Sequence, residues 1–144
     1  MIIIEKVKEI FNQLQSTNSK LEKQRIIREN KDNKKFTDTL VFLLSPYKLT
    51  GLSERKINKK VGAVRGVITS WENAVEYLST HNTGTDHDIA LIQDFIVNQP
   101  EDMRDFYKGL ITKRIKLGCD AKIVNSVLGK GFIPSFEIQL AEKY

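Results

Sequence analysis

Apolar residues recur at three- and four-residue intervals along nearly the whole chain, the spacing that lines one face of an α-helix. Ile3, Val7, Ile10 and Leu14 form the first stripe, joined by Ile4 and Phe11. A polar stretch from Ser16 to Asn18 separates it from a second, more weakly patterned helix over about residues 19–30. Asp32 or Asn33 is placed to cap a third, in which Phe36, Leu40, Leu43 and Leu44 repeat until Pro46 stops it. Between Tyr47 and Ile68 the regularity fails. Gly51, Gly62 and Gly66 interrupt, and Ser53 reads as the cap of one short helix with Ile57 and Val61 inside and lysines outside. That composition predicts an irregular element lying on the surface.

Helical order then resumes. Thr69 to Glu72 reads as a capping box leading into Trp71, Ala74, Val75 and Leu78. Thr85 is placed to cap a helix through Ile89, Ile92, Phe95 and Ile96, with an acidic first turn that suits the helix dipole. Pro100 opens another helix, striped by Met103, Phe106, Tyr107, Leu110 and Ile111. Gly109 within it costs up to about 1 kcal/mol relative to alanine and points to close backbone packing. Leu117-Gly118 is expected to end that helix, and Asp120 to cap a last one carrying Ile123, Val124, Val127 and Leu128 before Gly129. Pro134 marks the exit, with a short terminal turn or helix over Phe136–Tyr144. No run alternates long enough to demand a strand. The pattern predicts an all-α fold, a single compact bundle of about seven to eight helices forming one domain over residues 1–144.

The 40% hydrophobic and 28% charged fractions are those of a soluble globular chain. No apolar run approaches the roughly eighteen residues of a membrane span. Glu5 and Lys6 cut short Ile2-Ile3-Ile4, so no export signal is expected. Cys119, the only cysteine, excludes an intramolecular disulfide and agrees with a cytoplasmic location.

Charge changes the picture more. The net +5 is segregated. Lys48 to Arg65 carries six bases (Lys48, Arg55, Lys56, Lys59, Lys60, Arg65) against Glu54 alone. Lys108 to Lys122 carries five (Lys108, Lys113, Arg114, Lys116, Lys122) against Asp120, leaving the rest of the chain net negative. Such segregation suits a polyanion, although two solvated helix faces give the same letters.

No catalytic group and no metal site is assigned. Gly129-Lys130-Gly131 lacks the spacing of a phosphate-wrapping loop and reads as a helix stop. Asp86, Asp88 and Asp94 read as dipole partners rather than a carboxylate cluster. His81 and His87 have no cysteine near them. Cations near Cys119 favour a thiolate, but no base is placed to use it, and a small buried hydrophobe is the expected role. The run from Thr112 to Asn125, TKRIKLGCDAKIVN, joins a basic helix end, a glycine turn and a fresh helix N-terminus. Glycine lets backbone N–H groups approach a phosphate closely, and the new helix adds unpaired donors and a positive dipole end. It reads as a phosphate clamp, or equally as an ordinary glycine-terminated helix followed by another.

The run GLITKRIKLGCDAKIVNSVLGKGFIPSFEIQLAEKY resembles the end of the DNA-binding domain of ATP-dependent DNA ligases. In that family a basic helix ends in a Leu-Gly turn, a lysine-containing helix start follows, and a Pro and a Leu-Ala-x-x-Tyr-like stretch precede the catalytic domain. Here these are Leu117-Gly118, Lys122 to Asn125, Pro134, and Leu140 to Tyr144. LLSPYKLTGLSERKINKKV is similar to its counterpart in ligases of bacteriophages and prophages of Gram-positive bacteria. The helices before Pro46 carry no specific signal.

The resemblance implies a monomeric helical domain that grips nicked duplex DNA through the minor groove and sugar-phosphate backbone. It also implies nucleotidyltransferase and OB-fold domains downstream in the same polypeptide, where ATP and Mg²⁺ would act. No Lys-x-Asp-Gly, the motif of the adenylated lysine, occurs in this chain, so ligation by it alone is not expected. The expected DNA contacts are Lys56, Lys59, Lys60 and Arg65 on one side, with Lys113, Lys116, Gly118, Lys122 and Asn125 on the other. Two rivals are a free-standing phage nucleic-acid-binding protein and a helical protein-interaction adaptor with solvated basic faces.

Overall fold

Most helices begin where a short polar side chain accepts one of the backbone N–H groups that an α-helix leaves unpaired. The structure, a computed structural model, describes residues 3–62, 64 and 66–134. The terminal element expected over Phe136–Tyr144 lies outside them. Ser19, Asn33, Ser53, Thr85 and Asp120 each accept from the N–H three residues on, fixing the starts of α2 (Lys20–Glu29), α3 (Lys34–Leu44), α4 (Glu54–Ile57), α6 (Asp86–Val97) and α8 (Ala121–Leu128). With α1 (Ile3–Gln15), α5 (Trp71–Thr80) and α7 (Glu101–Ile111), the described residues form eight helices and no strand. The fold is all-α.

Three boundaries differ from the sequence expectation. The short helix capped by Ser53 ends at Ile57, so Val61 lies beyond it. The capping box before α5 is shifted by one residue. Ser70 rather than Thr69 is the cap and accepts from the Asn73 N–H, while the Asn73 side chain accepts from the Thr69 N–H at 3.2 Å. The largest correction is at α7, which ends at Ile111 and not at Leu117. Lys113 takes a left-handed φ of 58°, its N–H donates to Leu110 O, and Arg114 N–H donates to Gly109 O. That pair of bonds is a Schellman stop, with lysine where glycine is usual. The basic segment that follows is therefore irregular, not a helix end.

The chain divides into two compact units, residues 1–48 with 115–144, and residues 49–114. In the first, α1 packs on α2 and α3, and α8 packs on α2. Phe11 meets Phe36 edge to face at 6.1 Å among Ile10, Leu14, Ile27 and Leu40, all fully buried. In the second, α6 packs on α7 and α4 on α6. Tyr107 sits between Trp71 and Phe95, at 5.6 and 5.2 Å. The Thr50 hydroxyl, buried, donates to Ile111 O at 2.7 Å and ties the start of the unit to the last turn of α7. Gly51 and Gly84 lie backbone to backbone, both with positive φ, so neither place admits a side chain.

Candidate nucleic-acid interface

In the 49–114 unit the single turn of α4 buries Ile57 and leaves Lys56 exposed, and Lys59 and Lys60 are exposed just beyond it. This irregular segment is held from below. The Gln93 carboxamide on α6 donates to Ile57 O at 3.0 Å and to Lys59 O at 2.7 Å. The Lys59 ammonium pairs with Asp86 at 2.8 Å, an exposed ion pair of small energetic value. Lys56 lies over Gly84, where an added Cβ would come within 2.8 Å of its ammonium. Arg65 falls outside the described residues.

Beside this segment opens a cavity of about 460 Å³. Ile57, Val61, Ile96 and Val97 give it an aliphatic wall, and Asn58 and Gln93 contribute carboxamides. Lys59, Lys60, Arg104 and Lys108 bring four cations to it, and among the described residues no carboxylate lines it. Arg104 Nε donates to Gln99 O at 3.0 Å, and Lys108 donates to the Asn58 carboxamide oxygen at 3.3 Å, so both are oriented by the same unit. Sequence reading counted Lys108 only in a charge total and passed over Arg104. Their four-residue spacing puts them on one side of α7, flanking the Met103–Phe106–Tyr107 stripe, but does not say what they face.

The three aspartates that suggested dipole partners are occupied individually. Asp86 holds Lys59, Asp94 accepts from the Asn98 side chain at 3.4 Å, and buried Asp88 accepts from the Tyr77 hydroxyl at 2.5 Å. Burial first, and then the Asp88 carboxylate, pushes Tyr77 up from 10.0 to about 12. Among the described residues no three His, Cys, Asp or Glu side chains gather to hold a metal ion.

The other basic segment is built differently. Lys113, half-buried, belongs to the 49–114 unit, whereas Lys116, Gly118, Lys122 and Asn125 belong to the other. Lys116 and Lys122 are exposed, with the Lys116 carbonyl accepting from the Gln15 side chain at 3.0 Å. Gly118 has φ +74°, and a Cβ there would lie 2.7 Å from the Lys23 ammonium. The turn thus requires glycine for its own conformation and for an internal neighbour, without any phosphate. Lys23, 6% exposed, donates to Leu14 O at 2.8 Å, Thr17 O at 2.6 Å and Leu117 O at 3.3 Å, using all three protons of the ammonium. Nothing in the charge count marked it, but it shares the buried register of Ile26 and Ile27 on α2.

Two further elements of the expected clamp have internal work. Asp120 accepts from Ile123 N–H, so a carboxylate already occupies the N-terminus of α8 that a phosphate would need. The Asn125 carboxamide makes a reciprocal pair with Ile133, donating to its oxygen at 3.1 Å and accepting from its N–H at 2.8 Å. Burial raises the Cys119 pKa, which outweighs the nearby Lys23, so the group is a thiol rather than the thiolate its cations suggested. No helix among the described residues is long and apolar enough to cross a membrane. No protein-family model matches the chain, and no curated protein matches it.

Proposed function

We propose that the chain is a sequence-independent duplex-DNA-binding domain of an ATP-dependent DNA ligase, gripping nicked DNA for catalytic domains of the same polypeptide. The observation that carries the DNA-binding part is the four-cation cavity beside the exposed Lys56, Lys59 and Lys60, with no carboxylate lining it among the described residues. Cations gathered on one surface release counterions from a phosphate backbone without reading sequence. Lys59, paired with Asp86, exchanges that partner for phosphate. The ligase part rests on the Gly109–Tyr144 and Leu43–Val61 runs described above. Lys116 and Lys122, both exposed, add phosphate contacts from their own unit. Gly118 and Asn125 act through the backbone they shape. ATP and Mg²⁺ belong to the catalytic domain of such a ligase, and this chain supplies affinity rather than chemistry.

Titration of the chain with unrelated duplexes at several salt concentrations tests the reading. Affinity should be nearly independent of sequence, and with about five phosphate contacts log K should fall against log salt with a slope of about −4 to −5. A flat salt response would favour the protein-interaction adaptor.

A further inference from the structure

The cavity bounded by the residues 57–61 segment, α6 and α7 is more than a charged surface. One side of its lining is aliphatic, from Ile57, Val61, Ile96 and Val97, while its cations are Lys59, Lys60, Arg104 and Lys108. A bare inorganic anion has no use for the apolar wall, and an apolar ligand has none for four cations. A deoxyribose carrying its phosphate matches both, with C–H faces for the valines and isoleucines and oxygens for the cations. Among the described residues the wall holds no aromatic ring to stack a base. We infer that this cavity seats the sugar and phosphate of a single nucleotide of a DNA strand, with the base left outside. This rests on the DNA-binding reading above and names the place where the strand is held.

The hydrogen bonds agree with a seat formed in advance. Gln93 fixes the backbone of the 57–59 segment to α6, and Asn58 holds Lys108 to that segment. Arg104 uses Nε on Gln99 O, and its terminal nitrogens make no hydrogen bond or ion pair among the described residues. A phosphate entering the cavity meets that edge of the guanidinium, which suits paired oxygens. Lys59 reaches it by exchanging Asp86 for phosphate. Because the base is excluded, such a seat holds position along the strand without choosing sequence.

The experiment uses the full chain and separates charge from apolar contact. Arg104→Gln and Lys108→Gln should each weaken duplex binding about threefold or more and each make the salt slope shallower by about 0.9. Val97→Ser changes no charge; it should weaken binding by about twofold while leaving the slope unchanged. Melting temperatures of the three variants should stay near that of the parent, since Arg104 and Lys108 are only half-buried and Val97 is 59% exposed. If the parent binds duplexes with a steep slope and Arg104→Gln and Lys108→Gln leave affinity and slope untouched, the seat is overturned and the DNA-binding reading survives. If the parent binds no duplex at all, both fall. A third arm adds thymidine 5′-monophosphate and duplex separately, following the Asn58 and Gln93 side-chain amide signals by NMR. Signals moved by duplex support the strand seat, and signals moved by the free nucleotide but not by duplex overturn it.

Discussion

Two places in this protein set lysines beside a glycine turn and use them differently: the exposed Lys56, Lys59 and Lys60 of one unit, and the buried Lys23 against which Gly118 lies in the other. In the 49–114 unit Lys59 and Lys60 stand exposed at a cavity, and Gln93 fixes the backbone beneath them. In the other unit Lys116 and Lys122 are exposed as well, but Lys23, against which Gly118 lies, is inside and bound to three carbonyl oxygens. The first arrangement leaves positive charge available to a ligand. The second uses it to hold a fold together. Net charge cannot tell the two apart; only burial and hydrogen-bond partners can.

Replacing the internal cation should have the largest effect. Lys23→Met keeps the length of the side chain but strips Leu14, Thr17 and Leu117 of a shared donor. Losing a charged donor from buried carbonyls should cost about 2–4 kcal/mol in a denaturant titration. DNA affinity per folded molecule should change little. A variant as stable as the parent would remove the contrast between the two places.

Reversing the outward cations should do the converse. Lys59→Glu with Lys60→Glu should weaken duplex binding at least about tenfold, or about 1.4 kcal/mol, with little change in melting temperature. The same reversal at Lys6 and Lys8, on α1, is the control for bulk charge. Equal losses in the two pairs would show that the cavity has no special standing.

The smallest effect separates conformation from charge at a single residue. Lys113 carries a left-handed backbone that glycine adopts without penalty. Lys113→Gly should therefore stabilise the protein by about 0.5–1 kcal/mol while removing one expected phosphate contact. Higher stability with a salt slope shallower by about one contact is the expected pair of results. Lower stability would mean that the lysine side chain, rather than its backbone, matters most to the turn.

What could be read from sequence divides along the same line, between local and non-local physics. The starts of α4, α6 and α8 were legible because Ser53, Thr85 and Asp120 act within three residues of themselves. At α3 the letters leave Asp32 and Asn33 equal, and at α2 Ser19 reads as helical rather than as the cap it is. The end of α7 was not legible, because a lysine stands where glycine would announce the stop. Lys56, Lys59 and Lys60 were identified as exposed bases, and they are. Arg104 and Lys108 join them only because α7 and the 57–60 segment border one cavity, which no spacing along the chain reveals. Asn125 is read from sequence as a contact beside a basic run, and the partner that the letters do not reveal is Ile133, which engages both ends of its carboxamide.

The discontinuity of the unit made from residues 1–48 and 115–144 also dictates an order of events during synthesis. Domains form as their residues leave the ribosome, N-terminal parts first. Here α2 must wait for α8, and Lys23 for Leu117, while every residue of the 49–114 unit is made in between. The middle of the chain can complete its core first. Helices α1 to α3 are made before the 49–114 unit but find the last of their partners after it. Until then α2 carries a lysine whose third acceptor does not yet exist, which places its final closure among the late, long-range steps of folding.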